Sequence, residues 1–509
     1  MMLVKFFVGL IPIIWLIIAL SVMKMPSFKA CSIAIVFAAA AAMICKGMRP
    51  VDVATAFAEG VLSALWPIIL VIIAALFTYN LTLKTGAMEK IKGMLGSVSS
   101  DKRILALIIG WGFGCFMEGM AGFGTAVAIP ASILIALGYE PFSTVIALLI
   151  VNSTPTAFGS VGVPTASVAS ATGIAANAIS AGTARIEVLL MFLSPFFLIF
   201  VIGKGFKAFK GILPILIVSA AAFTVPNFLI GTFIGPELPD IIGSICCMGV
   251  TIAMALLMKD NPVPEEYRIK TEKGSRFEIT VEEGVKAWSP FMIIFLLLMI
   301  TSKLFPFINE PLSAIKSSFR IYSGEDGAAT TFSWINTPGV WIIVSAVIGG
   351  MIQGAAISEI VKVFRETITK NIKTIVTICS VLATAKIMVH SGMTTDVADV
   401  LAAATGSAYP FFAPWVGVLG AFVTGSGTNT AVLFGPLQSA AAARLSISPE
   451  WLISANALGA GAGKMISPSN VALSCAAASI GGNENKIITG VFKFVVIYAI
   501  IGGVICLIL

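Results

Sequence analysis

Long apolar runs alternate with short polar connections along almost the whole chain. Runs such as 61–80, 241–258 and 288–300 carry few polar residues, and many approach the roughly 20 residues that a membrane-spanning helix needs. This pattern predicts an all-α polytopic membrane protein with about 12–14 transmembrane segments. The N-terminal apolar run after Lys5 lacks a signal-peptide cleavage pattern and is followed at once by further runs, so we expect it to be a retained first helix.

One stretch, residues 111–164, departs from the pattern of a plain membrane helix. Six glycines fall between Gly110 and Gly124, an acid lies at Glu118, and prolines recur further along. Glycine and proline loosen helices, and non-helical backbone at membrane depth is tolerated only where it is buried in protein or lines a wet cavity. We therefore expect broken or re-entrant helices whose polar groups face a substrate. The segments with this character are about 119–138, 153–170, 425–443 and 464–480.

Composition and charge narrow the class of protein further. The chain is 58% hydrophobic and 11% charged, whereas a soluble domain carries roughly 25% charged residues. The net charge of +7 suits basic cytoplasmic loops, and no basic patch interleaved with aromatic residues indicates a nucleic-acid partner. The eight cysteines are scattered and most lie in apolar runs, so we expect neither disulfides nor a metal site. The lipid bilayer is the expected environment, and no cofactor is expected.

Lysine and arginine concentrate in four segments, which the positive-inside rule places in the cytoplasm. These segments are 84–103, 204–210, 259–286 and 362–373. The third mixes acids and bases and has little apolar content, which is typical of a linker. We therefore divide the chain into an N-terminal transmembrane half (1–258), a cytoplasmic hydrophilic linker (259–286) and a C-terminal transmembrane half (287–509). The orientation of the first two helices stays open.

A short internal repeat supports the division into halves. The spacing N-x6-G-x4-P occurs twice, 304 residues apart, and each copy also carries a Gly-Thr pair. The first copy (core 104–170) follows basic residues, whereas the second (core 409–480) follows a stretch without lysine or arginine. The two copies are therefore expected to enter the membrane from opposite sides. Inverted repeats with broken helices that meet near the bilayer midplane are a recurring plan of secondary transporters.

Several strings of the chain are too long and unusual to be generic membrane sequence. They are EGMAGFGTAVAI (118–129), NSTPTAFGSVGVP (152–164), IGPELPDI (234–241), KAWSPF (286–291), TGSGTNTAVLFGPLQ (424–438) and SPEWLISANALGAGAGKMISPSN (448–470). Together, and in this order, they resemble the lactate permease family. The resemblance implies a carrier of the bacterial or archaeal inner membrane that moves L-lactate, and often D-lactate or glycolate, together with protons. One position departs from the family, because Gly427 stands where an acidic residue is usual.

A small 2-hydroxy acid needs donors for its carboxylate and a donor–acceptor pair for its hydroxyl group. Helix N-termini at broken helices supply backbone N–H groups and a positive dipole end, and glycine lets a ligand approach the backbone. Two Asn residues at equivalent positions of the repeat add amides, which either bind substrate or bridge helices. The candidate substrate-binding residues are Gly122, Gly124, Thr125, Asn152, Ser426, Gly427, Thr428, Asn429, Asn456 and Lys464. The alternative for the small residues is close helix packing.

Three ionisable residues within apolar segments are candidates for charge recognition and coupling. Lys464 costs about 2.5–3.5 kcal/mol to place in a membrane interior and needs a partner, either the substrate carboxylate or an internal acid such as Glu118. Glu118 is the first candidate for proton coupling, and His390, the only histidine, is the second. A structural role for Glu118 is the alternative. Glu237 and Asp240 are expected to cap a helix that begins near Ile241.

These features predict a secondary active transporter for proton-coupled uptake of L-lactate, D-lactate and glycolate. The alternative is a sodium-coupled or broader organic-anion carrier, in which Ser426, Thr428 and Asn429 would supply oxygen ligands for Na⁺. An enzyme is not expected, because the chain has no H-E-x-x-H or G-x-S-x-G motif and no nucleotide-binding loop. The sequence leaves the substrate range open, and a homo-oligomer is possible.

Overall fold

The computed structural model describes residues 2–122, 124–259, 261–269, 280–325 and 327–508. Within these residues, eleven helices are long and apolar enough to cross a membrane. The count becomes twelve if Pro141–Val151 and Thr154–Thr172, which meet at a bend of 50°, form one broken span. The all-α polytopic fold is confirmed, but eleven spans are one fewer than the predicted minimum, and only the count of twelve reaches the predicted range.

The helices of the first half surround a buried centre. They are α1 (Met2–Ile17), α2 (Ser27–Lys46), α3 (Pro50–Ser63), α4 (Leu70–Lys84), α5 (Ala87–Gly96), α6 (Lys102–Leu105), α7 (Gly114–Met120), α8 (Thr125–Ala136), α9 (Pro141–Val151), α10 (Gly159–Thr172), α11 (Ala176–Ile202), α12 (Leu213–Phe233) and α13 (Pro239–Leu257). Segments of π-helix extend α1 over Ile18–Val22 and make α6–α7 continuous over Ala106–Phe113. The segment Ala64–Ile69 between α3 and α4 is kinked at Trp66, whose backbone is not helical (φ −136°, ψ 119°). A 3₁₀ turn, Thr154–Phe158, precedes α10, and another lies at Phe206–Phe209.

The second half contains the remaining helices and one small sheet. The helices are α14 (Val281–Ile300), α15 (Pro306–Ala314), α16 (Pro338–Ile352), α17 (Ile357–Lys370), α18 (Ile372–His390), α19 (Met393–Thr405), α20 (Tyr409–Thr424), α21 (Gly427–Leu445), α22 (Pro449–Lys464), α23 (Pro468–Ala477) and α24 (Glu484–Ile508), with 3₁₀ turns at Glu265–Tyr267 and Gly406–Ala408. Strands β1 (Lys316–Arg320) and β2 (Ala329–Ser333) form an antiparallel hairpin in which Lys316 pairs with Ser333. This hairpin lies between α15 and α16.

The predicted linker is described only in part, because residues 260 and 270–279 lie outside the described residues. Helix α14 already begins at Val281, where the Thr280 side chain accepts a hydrogen bond from the Glu283 backbone and the Glu283 carboxylate accepts one from Thr280 N. This capping box fixes the first turn of the helix and so explains why helical structure starts before residue 287. The division of the chain into two halves stays a prediction.

Four helix interruptions lie close to where glycine and proline predicted them. The backbone turns left-handed at Gly122 (φ +61°) and Gly124 (φ +84°) between α7 and α8, and at Gly425 (φ +70°) between α20 and α21. At the start of α10, Ser160 (φ +48°) and Val161 (φ +56°) adopt this conformation without being glycine. Such strain in non-glycine residues is maintained only by the surrounding structure and is often found at functional sites. Pro468 begins α23 after the fourth interruption.

Helices α8, α10 and α13 pack against the buried span formed by α6 and α7. Every residue of the spanning window within Lys102–Met120 is buried. Helices α20 and α22 approach so closely that a Cβ atom built on Gly459 would overlap the carbonyl group of Pro414. Small residues at such crossings let helix backbones meet, which is how membrane helices gain packing energy. The centre of the bundle is therefore rigidly packed around the interruptions.

Gly459→Ala tests this packing. We expect the added methyl group to force α20 and α22 apart and to destabilise the protein by about 1–3 kcal/mol, the usual cost of overpacking. The measurement is the melting temperature of the detergent-solubilised protein. Gly249→Ala is the matched control, because a Cβ at Gly249 meets nothing within 4 Å. Equal melting temperatures for the two variants would contradict the close contact.

Candidate functional site

A buried ion pair connects the two halves of the chain at the helix interruptions. The ammonium group of Lys464, at the C-terminal end of α22, donates a hydrogen bond to Glu118 Oε1 over 2.8 Å. It also donates to Thr156 Oγ1 over 3.1 Å, in the 3₁₀ turn before α10. Lys464 is 9% exposed and Glu118 3% exposed. Of the two partners predicted for Lys464, the structure contains the internal acid.

Hydrogen bonds between interruptions hold this region together. On one side, Ser160 Oγ donates to the carbonyl oxygen of Ala121 over 3.0 Å and ties α10 to the α7–α8 interruption. On the other side, Asn470 Nδ2 donates to the carbonyl oxygen of Gly425 over 3.1 Å and ties α23 to the α20–α21 interruption. Carbonyl groups released by broken helices are therefore satisfied by side chains from a neighbouring broken helix.

Glycine is required at several contacts of the site because another side chain occupies the space of a Cβ atom. A methyl group on Gly122 would overlap Ser160 Oγ, and one on Gly425 would overlap Ser469 Oγ. A Cβ at Gly427 would lie 2.6 Å from Thr156 Cγ2, next to the hydroxyl group that contacts Lys464. Glycine at position 427 therefore leaves room for the Thr156 side chain.

Two small cavities lie beside the residues of the ion pair. One is lined by Gly124, Val127, Leu149, Asn152, Lys464, Asn470 and Ser474, and the other by residues that include Thr156, Pro164, Gly427, Ala431 and Asn456. Each has a volume of about 10 Å³, which is about the space that one water molecule needs. A small carboxylic acid is larger than this, so its entry requires side chains or helices to move.

Several acceptor atoms in this region are buried without a hydrogen-bond partner among the described residues. They are Oδ1 of Asn152, Oδ1 of Asn456 and Oε2 of Glu118. Unpaired buried acceptors are uncommon in folded proteins and call for an explanation such as a bound water or ligand. Because Asn152 and Asn456 line different cavities, each cavity offers an amide acceptor to a hydroxyl donor.

The other predicted substrate residues have more local contacts. Thr125 Oγ1 donates to the carbonyl oxygen of Gly122 over 2.7 Å, at the start of α8. Ser426 Oγ accepts from the backbone N–H of Asn429 over 3.2 Å and so caps α21. Thr428 and Asn429 are buried in the first turn of α21, and neither lines the two cavities described above. These residues shape the interruptions, whereas Gly124, Asn152, Gly427, Asn456 and Lys464 border open space.

His390 belongs to a different cluster. Its Nε2 atom lies 2.8 Å from Glu59 Oε2, and Lys386 Nζ lies 2.8 Å from Glu59 Oε1. The imidazole ring stacks on Tyr322 with centroids 3.7 Å apart. Across the described residues, none of the hydrogen bonds or ion pairs of His390 involves Glu118 or Lys464. The two predicted coupling residues are therefore in separate places.

Sequence reasoning missed three further polar residues near the pair. Thr156 was one hydroxyl residue among many, and Glu187 was passed over although it is an isolated acid within the apolar span Ala176–Ile202. The expectation that Asp240 caps a helix is wrong. Helix α13 begins at Pro239 with no side-chain cap, and Asp240 Oδ1 instead accepts a hydrogen bond from Asn227 Nδ2 over 2.9 Å.

The contribution of the ion pair to stability can be measured with a double-mutant cycle. Glu118→Gln leaves the Lys464 ammonium without its counter-charge, so we expect a loss of about 3–5 kcal/mol, the typical cost of breaking a buried pair. Lys464→Gln should cost a similar amount, whereas the double variant should recover most of the loss because no unpaired charge remains. The measurement is again the melting temperature in detergent.

Glu282→Gln is the control for this cycle, because its pair with Lys286 is exposed and should contribute little. Losses that simply add in the double variant would show that the two residues do not interact in the folded protein.

Comparison with known proteins places the chain in a family. The family model described as L-lactate permease matches residues 5–509. The chain is 41% identical to an L-lactate permease of Streptococcus iniae over 87% of this chain and 92% of that protein. It is 35% identical to the glycolate permease GlcA of Escherichia coli K12, over 98% of this chain and 94% of that protein. An L-lactate permease of the same organism is 32% identical over 97% of this chain and 94% of that protein.

Among solved structures, the YdaH transporter of Alcanivorax borkumensis covers 86% of this chain and 84% of its own, with a TM-score of 0.45 and 11% identity. That likeness is too weak to carry an argument. The family model and the curated relatives, in contrast, match nearly the whole chain, and the apolar helices fit a multi-pass protein of the bacterial plasma membrane. The chain belongs to the L-lactate permease family.

Proposed function

We propose that this protein is a secondary active transporter that carries L-lactate, and related 2-hydroxy monocarboxylates such as D-lactate and glycolate, together with a proton. The names of its relatives, L-lactate permease and glycolate permease, support this substrate class. The observation that carries the proposal is the buried Lys464, whose acidic partner is Glu118 and which borders a cavity between broken helices. A cation in this position is suited to binding a carboxylate.

The substrate carboxylate and Glu118 compete for the same ammonium group. Lys464 can donate three hydrogen bonds, and in the described structure two of them go to Glu118 and Thr156. When lactate takes the place of Glu118, the released carboxylate is buried without a counter-charge, which is costly in a membrane interior. Protonation of Glu118 removes that cost. Lactate and one proton then enter together without net charge, and the positive charge of Lys464 is balanced by the lactate carboxylate.

The hydroxyl group of the substrate has acceptors nearby. The unpaired amide oxygen of Asn152 borders the same cavity as Lys464, together with the backbone of Gly124. A 2-hydroxy acid bound at Lys464 places its hydroxyl group next to its carboxylate, within reach of such an acceptor. Because a buried acceptor that loses its donor costs free energy, this arrangement favours 2-hydroxy acids over acids that lack the hydroxyl group.

Release of substrate requires the site to open. The two cavities have room for about one water each, so the described conformation is closed around the pair. In the proposed cycle the inverted repeats and their broken helices move against the rest of the bundle, which opens the site to each side in turn. In the occupied site, protonated Glu118 is neutral and the charges of Lys464 and lactate balance each other. The site can therefore change its accessible side without an unpaired buried charge.

Sodium coupling is the competing mechanism. In that case the oxygen atoms of Ser426, Thr428 and Asn429 would hold the ion. Ser426 Oγ already caps α21, and Gly427 supplies no carboxylate, so a cation there would meet only neutral ligands. Glu118 offers a titratable group in contact with the substrate-binding lysine, and we therefore favour the proton.

Uptake of radiolabelled L-lactate into proteoliposomes tests this proposal, with a proton gradient or a sodium gradient imposed separately. We expect accumulation with the proton gradient alone. Glu118→Gln should abolish that accumulation because the residue can no longer gain and lose a proton, while lactate–lactate exchange continues. Glu282 is an acid on the surface of α14, and the control variant Glu282→Gln should accumulate lactate as the unmodified protein does.

Accumulation by the Glu118→Gln variant against a lactate gradient would rule out Glu118 as the coupling residue. Accumulation that follows sodium and ignores pH would replace the proton by sodium. If neither gradient drives lactate uptake, the substrate itself differs, and other small carboxylates should then be tested.

A further inference from the structure

A second acid lies buried beside the proposed coupling residue. Asp240, in the first turn of α13, is 1% exposed. Its Oδ1 atom accepts the hydrogen bond from Asn227 Nδ2, while Oδ2 has no hydrogen-bond partner in the described part of the chain. The mechanism proposed above gives this carboxyl group no role, and a helix cap does not explain it.

Asp240 touches the segment that carries Glu118. Gly119 directly follows Glu118, and a methyl group built on Gly119 would lie 2.7 Å from Asp240 Cβ. The charged groups close enough to interact electrostatically with Asp240 are Glu118 on α7, Glu187 on α11 and Lys464 on α22. The Cys115 thiol on α7 also lies within this range. Asp240 therefore lies in the same buried region as the ion pair, and the amide of Asn227 on α12 donates a hydrogen bond to it.

The charge balance of this group of residues indicates which acid holds a proton. The cation that interacts with Asp240 among the described residues is Lys464, and its ammonium group is bound to Glu118. A third buried carboxyl group, that of Glu187, also lies within electrostatic range of Asp240. A carboxylate buried without a cation is strongly disfavoured, whereas a neutral carboxylic acid is tolerated. Asp240 therefore carries its proton while Glu118 is the ionised member of the pair.

We propose that Asp240 is the proton donor to Glu118, a further coupling residue for the transport reaction; this inference rests on the proposed proton-coupled function. When the lactate carboxylate binds the ammonium group of Lys464, Glu118 is released. The proton then leaves Asp240 Oδ2 and binds a carboxylate oxygen of Glu118. The negative charge moves to Asp240, where the amide N–H of Asn227 stabilises it. Asp240 then takes up a proton from water on the side to which the site is open, so one proton is bound for each lactate.

Glu187 provides a matched control within the same core. It is 1% exposed, and its Oε2 atom also lacks a hydrogen-bond partner among the residues described. It lies on α11, whereas Asp240 packs against Gly119, the residue that directly follows Glu118. Replacement of Glu187 by a residue that cannot ionise should therefore leave the proton transfer to Glu118 intact.

The test compares Asp240→Asn, Asp240→Glu and Glu187→Gln with the unmodified protein in proteoliposomes. We expect Asp240→Asn to lower the initial rate of proton-driven L-lactate uptake about 100-fold, the lower end of what a positioned proton-transfer group contributes. Lactate–lactate exchange at equal pH should stay within about twofold, because Glu118 stays protonated through an exchange cycle. Asp240→Glu should restore part of the proton-driven rate, and Glu187→Gln should retain it.

Infrared difference spectra on lactate binding give a readout that a structural role would not change. In time-resolved spectra of the unmodified protein, lactate should cause a transient loss of the protonated Asp240 band as the protonated Glu118 band appears, before Asp240 is reloaded from water. This transient signal should be missing in Asp240→Asn. Retention of both the signal and proton-driven uptake in Asp240→Asn would overturn the proposal. Equal losses in Asp240→Asn and Glu187→Gln, or a loss of exchange that Asp240→Glu does not restore, would also overturn it.

Failure of the proposed function would look different. In that case the unmodified protein itself would show no uptake driven by a proton gradient, and the proposal for Asp240 would fall with it. Proton-driven uptake by the unmodified protein, followed by any of the contrary results in the variants, would instead reject Asp240 alone.

Discussion

A lysine buried among apolar helices must have a negative partner, and the structure around Lys464 follows from that constraint. Its ammonium group is paired with Glu118 over 2.8 Å, between residues that are 346 positions apart in the chain. A pair of this kind is weak evidence for stability, because desolvation of both charges offsets much of their attraction. Its value for a transporter lies elsewhere, since an anion that replaces Glu118 changes the charge balance of the whole site.

The helix interruptions bring the two charges together and keep the site small. Because the chain breaks at Gly122, Ser160 and Gly425, polar backbone groups meet in the core and are satisfied by side chains from neighbouring interruptions. Each of the two cavities beside the ion pair has room for about one water molecule. In the proposed mechanism, a site this tight distinguishes small acids by one hydroxyl group and has to move to let them pass. Recognition and conformational change are thus linked by the same packing.

The sequence predicted much of this arrangement. Apolar run lengths indicated the all-α membrane fold, and glycine and proline indicated the interruptions, because both signals are local. Lys464 and Glu118 were identified since a charge in an apolar segment is conspicuous. The contact between Lys464 and Glu118, and the places of Thr156 and Asp240, depend on tertiary contacts that no periodicity encodes. His390, the second candidate for proton coupling in the sequence, lies in a separate cluster with Glu59.

The central claim is that lactate and Glu118 compete for Lys464, and an experimental structure with bound L-lactate tests it most directly. The account predicts the lactate carboxylate within hydrogen-bonding distance of Lys464 Nζ, with the Glu118 side chain displaced from that atom. It also predicts the lactate hydroxyl group at the Asn152 amide. A structure in which lactate is bound elsewhere while the Lys464–Glu118 pair stays intact would contradict the account.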